Sequence, residues 1–185
     1  EKITVLPAVP TMYQFILLEL AKAPRTMPSL RLGVCGGSAM PPDLLRQAEA
    51  VLGIPLQDGW ALTESSVVGT LNPVAKRKCG SIGPALPGLQ VLVLDPEGQP
   101  LPNGSEYVGE LCLKGPNVMQ GYLNREEATA ESLKDGVLHT GDLGYCDQDG
   151  YLYIVGRSKE LIIRGGMNIY PREVENVLLR MAGIK

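Results

Sequence analysis

The sequence predicts an α/β layer followed by a β-rich unit, and three observations carry that prediction. From Ile3 to Leu56, short apolar runs alternate with helical apolar patterns. Strand, helix, strand, helix, strand is the order that builds a mostly parallel sheet flanked by helices. Beyond Gly88 the helical period gives way to short apolar runs separated by turn residues, the pattern of a small β subdomain. From Tyr151 the chain reads strand, charged turn, strand, glycine loop, helix.

In chain order, residues 3–7 read as a buried strand, and Pro10 opens a helix carrying Met12, Phe15, Ile16 and Leu20 as far as about Lys22. A second strand at 30–35 ends in Gly36-Gly37-Ser38-Ala39. The helix at 42–52 is closed by Gly53 as a C-terminal cap. A third strand covers 54–56. Ligands of such sheets sit beyond the carboxyl ends of the strands, which singles out the loops at 36–40 and 58–65. Residues 80–88 are rich in glycine and proline and read as a passage between subdomains. Strands follow at 90–94 and 109–113, separated by a turn at 95–98, and a short helix at 125–133. Thr140-Gly141-Asp142 taken alone is a turn, and 147–150 joins it to a strand at 151–155 as a hairpin. The run Leu161-Ile162-Ile163 meets Arg164-Gly165-Gly166, where two residues without a Cβ let backbone approach a ligand. Pro171 suits the first position of a helix, and Glu173 and Glu175 favour its first turn. Val174, Val177, Leu178 and Met181 form its apolar stripe.

Composition narrows the function classes. The chain has 185 residues, 44% hydrophobic and 20% charged, as a folded domain with a core requires. A net charge of -3 gives no support for binding nucleic acid or anionic membrane. Cys35, Cys79, Cys112 and Cys146 are widely spaced with no C-x-x-C pair, and read as small hydrophobes of a reducing, cytoplasmic compartment. There is no secretory signal and no apolar run long enough to cross a bilayer. The first residue is Glu1 rather than Met, and Lys185 follows closely on a helix stop at Gly183, so both ends read as cut from a longer chain.

Residues 156–175, GRSKELIIRGGMNIYPREVE, carry the most specific pattern. G-R-x-K-x-x-I-x-x-G-G-x-N-I-x-P-x-E-V-E resembles the hinge signature of adenylate-forming enzymes, the superfamily of acyl-CoA synthetases, peptide-synthetase adenylation domains and luciferases. Fixed internal spacing over that length is far more specific than a lone glycine motif. The resemblance extends over nearly the whole chain. It implies that residues 1–84 are the second part of a large AMP-binding domain, 85–157 its β-rich, barrel-like subdomain, and 158–185 the hinge and the start of a small mobile α+β domain.

The site residues follow by the same resemblance. Gly37, Ser38 and Ala39 would line the pocket for adenine and acyl group. Asp58-Gly59-Trp60-Ala61-Leu62-Thr63-Glu64 resembles the family's Y-G-x-T-E element, with Ala61 in place of the usual glycine. Asp58 would meet the adenine amino group, Gly59 beside it belongs to the same cofactor-binding set, and Trp60, standing for Tyr, would stack on the ring. Thr63 would donate to a phosphate oxygen and Glu64 would hold Mg²⁺, a hard cation that prefers oxygen ligands. Asp142 would grip the ribose hydroxyls, with Arg157 as second contact. His139 reads as positional rather than as a base. Lys159 falls at the hinge, and Gly165 and Gly166 would approach the thiol cofactor after domain rotation. The segment 115–124 has a structural part.

The implied reaction has two steps. A small-molecule carboxylic acid attacks the α-phosphate of ATP–Mg²⁺ to give an acyl-adenylate and pyrophosphate, and coenzyme A then displaces AMP. His139 before T-G-D, and Lys159 with the Gly166-to-Pro171 run, resemble CoA ligases more than domains that load a carrier protein. Val67-Val68-Gly69 suits an aliphatic or aromatic acyl group. The phosphate loop would lie before residue 1 and a catalytic lysine after residue 185, so the chain alone is expected to be a poor catalyst. The rivals are a carrier-protein adenylation domain, a non-catalytic nucleotide-binding or interaction module, and a nicotinamide oxidoreductase. The last rests on Gly36-Gly37 and fails on fingerprint spacing.

Overall fold

A computed structural model describes residues 2–38, 40–67, 69–165, 167–178, 181, 183 and 184. Ala39, Val68 and Gly166, and the side chain of Glu173, lie outside the described residues.

The α/β layer forms as the alternation predicts. Strands β1 (Val5–Ala8), β2 (Leu32–Cys35) and β3 (Leu56–Trp60) are parallel, joined by helices α1 (Pro10–Lys22) and α2 (Pro42–Leu52). Both helices begin with proline at the first turn, and α2 ends on Gly53 in the left-handed region. The core between helices and sheet gathers Tyr13, Leu17, Cys35, Met40, Leu45, Ala48 and Leu56. The α1 face differs from the expected one. Tyr13 and Leu17, one turn apart, face the sheet, whereas Met12 and Phe15 project outward and are exposed. Tyr13 fits there because its hydroxyl donates to the Leu6 carbonyl at 2.8 Å, which removes the cost of burying it.

The third strand is longer and later than residues 54–56. Asp58, Gly59 and Trp60, which resemble a turn by composition, are held in β3 from both sides. Cys35 of β2 pairs with Asp58, and the short antiparallel strand β4 (Thr70–Leu71) pairs with Gly59 and Trp60. The glycine- and proline-rich segment at 80–88 is a stitch and not a bare passage. Ala85 bridges Thr70, Gly83 bridges Leu152, and the Ile82 amide donates to the Leu152 carbonyl at 2.9 Å.

The β-rich unit is an antiparallel sheet. β5 (Gln90–Leu94), β6 (Gly109–Lys114) and β8 (Val137–Cys146) are neighbours, and β8 also pairs with β7 (Leu133–Lys134) and β9 (Leu152–Arg157). Helix α3 (Glu126–Ser132) precedes β7. Its core of Ile82, Val93, Leu111, Leu113, Leu138 and Leu152 also includes Trp60 from β3, so one aromatic residue joins the two layers.

At the end, β10 (Ile162–Arg164) and β11 (Met167–Ile169) form a hairpin ahead of α4 (Pro171–Leu178). Strand β11 is unexpected from composition, since Asn168 and the glycines read as loop. The stripe of Val174, Val177, Leu178 and Met181 is exposed. Among the described residues no helix is long and apolar enough to cross a membrane.

Candidate active site

A cleft of about 580 Å³ opens beyond the carboxyl ends of β2 and β3, where the β-rich unit meets the α/β layer. It brings together Gly37, Ser38, Asp58, Gly59, Trp60, Asp142 and Arg157 of the expected site. Ile82, Ile154 and Glu160 also line it, together with Glu175, which the sequence marked only as a helix-start acid.

Asp142 is the centre. Its carboxylate is buried, at 5% exposure, and would be costly there without partners. Trp60 Nε1–H donates to Oδ2 at 2.7 Å and Arg157 Nε–H to Oδ1 at 2.9 Å. Each oxygen keeps a further lone pair for a ligand hydroxyl. Arg157 reaches it as the cross-strand partner of Asp142 between β8 and β9. The expected turn at 140–142 is a bulge inside the ten-residue strand β8. Pairing with β6 jumps from Glu110↔Leu143 to Cys112↔His139, which leaves residues 140–142 bulging opposite Leu111. Gly141 sits there at φ +73, a conformation that a side chain would strain.

Trp60 lines the cleft but is only 6% exposed, and Gly69 backs directly onto its six-membered ring. Its indole N–H is committed to Asp142, so an adenine stack would have to use the small open part of the ring.

Thr63 and Glu64 do not line this cleft. They lie in a 3₁₀ turn, Thr63–Ser65, where Thr63 is exposed and Glu64 half-buried. Ser66 and Val67 continue it with φ of 52 and 61, left-handed values held by neighbours. Ser66 Oγ donates to the Asn117 carbonyl, and Asn117 Nδ2 donates to the Ser65 carbonyl. Tyr122 Oη donates to Glu64 Oε1 at 2.7 Å, and the carboxylate beside it raises the phenol above its ordinary pKa. The 115–124 segment therefore braces the Thr63–Glu64 turn directly. Tyr122 escaped the sequence reading because its partner lies 58 residues away.

Lys159 is exposed in the 3₁₀ turn Ser158–Glu160, off the cleft. Gly165 turns the β10–β11 hairpin at φ +60 with open space around it. Ala39 and Gly166 are outside the described residues. His139 stands away from the cleft, with Nδ1 2.8 Å from Glu110 Oε2 and 3.5 Å from Cys112 Sγ. These three could in principle hold a metal, their ligand atoms lying within 4.8 Å of one another. The hydrogen bonds argue otherwise. Glu110 is spent on His139 and on the Gly141 amide, and burial raises the Cys112 thiol above its ordinary pKa.

A family model for AMP-binding enzymes matches residues 1–123. The chain is 41% identical over its whole length to a feruloyl-CoA synthase of an Amycolatopsis species, covering 38% of that protein. It is 40% identical, again over its whole length, to a long-chain-fatty-acid–CoA ligase of Bacillus subtilis, covering 33% of it. The chain thus spans little more than a third of these relatives. Among solved structures, the O-succinylbenzoate coenzyme A synthetase of Bacillus subtilis, in complex with ATP and magnesium ion, superposes with a TM-score of 0.85. That match has 38% identity and covers 97% of this chain and 37% of the other. A family match over about two thirds of the chain, with a superposition that covers 97% of it, makes this chain a member of the AMP-binding enzyme family.

Proposed function

We propose that the polypeptide carrying this chain is an AMP-forming acid–thiol ligase that converts a carboxylic acid, ATP and coenzyme A into an acyl-CoA. The observation that carries this reading is Asp142. It is a buried carboxylate at the strand ends, oriented by Trp60 and Arg157 and facing a cleft of about 580 Å³, the size of a nucleotide pocket. The relatives support coenzyme A over a carrier protein as the thiol, since both are named CoA enzymes.

In this proposal Asp142 and Arg157 hold the ribose, while Gly37 and Ser38 let the loop after β2 lie close against adenine and acyl group. The carbonyl and carboxylate at Asp58 with Gly59 receive the adenine amino group. Thr63 and Glu64 work at the phosphate side, where Mg²⁺ neutralises charge. Glu64 fits a hard cation because its carboxylate offers oxygen ligands and is braced by one hydrogen bond from Tyr122. None of these groups moves a proton, so rate enhancement comes from positioning and charge stabilisation. Lys159 and Gly165 act at the hinge and in the thioester step. A cytoplasmic setting is part of the same proposal, supported by four free thiols.

The test is carboxylate-dependent ATP–pyrophosphate exchange in the longest native polypeptide that carries this sequence, screened with short, medium and long fatty acids and with aryl acids. Exchange stimulated by one acid class is the expected result. Its absence for every acid, in a folded protein that binds ATP, would move the assignment to a non-catalytic nucleotide-binding module.

Two variants test the phosphate side. Glu64→Gln loses the charge offered to Mg²⁺ and is expected to slow adenylation by about 30-fold, in line with the loss of one charged contact. Tyr122→Phe leaves the carboxylate in place but frees its orientation. It is expected to raise the Mg²⁺ concentration for half-maximal exchange roughly threefold, the size of one exposed hydrogen bond. A Tyr122→Phe protein with an unchanged Mg²⁺ titration would remove the bracing role.

A further inference from the structure

We propose that Glu110 is the positioning residue that sets Asp142, an inference that rests on reading the cleft as a nucleotide site. A bulge leaves backbone groups without ladder partners, and buried ones must be satisfied elsewhere. In β8 side chains take two N–H groups of the bulge at 140–142, those of Gly141 and Asp142. Glu110 Oε1 accepts the Gly141 N–H at 2.8 Å. Thr140 Oγ1 accepts the Asp142 N–H at 3.1 Å and donates to the Leu111 carbonyl at 2.6 Å. The other oxygen of Glu110 bonds His139 Nδ1 at 2.8 Å.

One carboxylate on β6 therefore clasps β8 on both sides of Thr140, immediately before the residue that faces the cleft. A charge-assisted bond to a backbone N–H is about twice as strong as a neutral one. It holds Gly141 in a conformation that the ladder alone does not supply. With the clasp gone, the bulge is free to turn, and Asp142 loses its alignment with the indole N–H of Trp60 and with Arg157. Glu110 does not line the cleft, so its effect on a nucleotide passes through Asp142. His139 fits as the outer brace of Glu110, a positional part in keeping with its place before the bulge.

Two readouts test this. In the longest native polypeptide that carries this sequence, the indole ¹H–¹⁵N resonance of Trp60, assigned by its loss in Trp60→Phe, reports the Trp60–Asp142 bond directly. Glu110→Ala is expected to shift that resonance, to speed its solvent exchange, and to weaken AMP binding by calorimetry about tenfold, with thermal unfolding confirming a folded state. Glu110→Gln keeps an oxygen for the Gly141 N–H and an amide group facing His139 Nδ1. It should restore the resonance and bring affinity within about threefold of the unsubstituted polypeptide. His139→Ala leaves the Gly141 bond intact and should also stay within about threefold. If Glu110→Ala does not fold, Glu110→Asp keeps the charge on a stem one methylene too short to span both partners. It should show the same shift and loss. An unmoved Trp60 resonance with AMP affinity within twofold in folded Glu110→Ala or Glu110→Asp overturns the proposal. An unsubstituted longest native polypeptide that binds no AMP, while the resonance still moves in Glu110→Ala, overturns the nucleotide reading and leaves the positioning role standing.

Discussion

Replacing Asp142 by Asn is expected to weaken AMP binding about 100-fold, or close to 3 kcal/mol. The substitution keeps shape and size and removes only the charge and one acceptor. Trp60 Nε1–H and Arg157 Nε–H both need an oxygen on this side chain, and the amide offers one. Whichever way the amide flips, its NH₂ group faces a donor, and the proposed ribose contact loses a charged acceptor as well. Removing one partner from a buried network costs more than the bond itself, because the remaining group is left desolvated. The measurement is calorimetric titration of AMP, with thermal unfolding beside it to separate lost affinity from lost fold. Arg157→Gln is the comparison. Its side chain is 60% exposed, so its pair with Asp142 is partly screened, and a loss of roughly fivefold is expected. Affinity within threefold in a folded Asp142→Asn protein would show that the ribose is held elsewhere.

The contrast between what the sequence revealed and what it concealed follows the range of the interactions. Helices α1 and α2 were legible because their signals are local: a proline at the first turn of each and, for α2, a glycine that accepts a left-handed conformation after the last. The α1 core face was not, since Met12 is the more apolar of the neighbours and only the sheet, with the Leu6 carbonyl for its hydroxyl, turns Tyr13 inward. Strand β3 was cut short because Asp58 and Gly59 carry turn propensities, which pairing with β2 and β4 overrides. Thr140-Gly141-Asp142 looks like a turn for a sound local reason, the glycine at positive φ, yet lies in a strand whose bulge is stabilised from β6.

The site divides in the same way. Asp142, Arg157 and the loop after β2 were reached through long motifs of fixed spacing, and the fold places them on one cleft. Tyr122 beside Glu64 and Glu110 beside Gly141 join segments 58 and 31 residues apart. No periodicity or spacing within one segment encodes such pairs. Trp60 shows a further limit. The motif marks an aromatic ring at the cleft, but only the packing shows its N–H bound to a carboxylate 82 residues away.

Gly83→Ala is expected to destabilise the fold by roughly 3–5 kcal/mol, combining a strained left-handed residue with overpacking of a closed contact. Gly83 has φ +83, and a Cβ built on it would run into the Leu71 carbonyl and the Asn72 amide well inside van der Waals contact. Neither obstacle is a flexible side chain. Leu71 belongs to β4, and the Asn72 amide donates to the Asp58 carbonyl at 2.8 Å, so the backbone that would have to yield is anchored to β3. On its other side Gly83 bridges Leu152 of β9, with the Ser81 hydroxyl donating to the Leu152 carbonyl at 2.8 Å and accepting from the Gly83 N–H at 2.8 Å. The glycine is therefore the point where the α/β layer and the β-rich sheet come within backbone contact, and the cleft that holds Asp142 lies along that seam. Thermal unfolding is expected to show a midpoint lower by roughly 10 °C. Because the seam sets the distance between Trp60 and Asp142, the variant should also lose nucleotide affinity at temperatures where it is still folded. Gly80→Ala is the control: its φ is also positive, at +84, but its Cβ would meet nothing within 4 Å, so it carries the conformational strain without the clash. A Gly83→Ala midpoint no lower than that of Gly80→Ala would show that the seam is compliant and that the two layers are held together by Trp60 and the side chains around it.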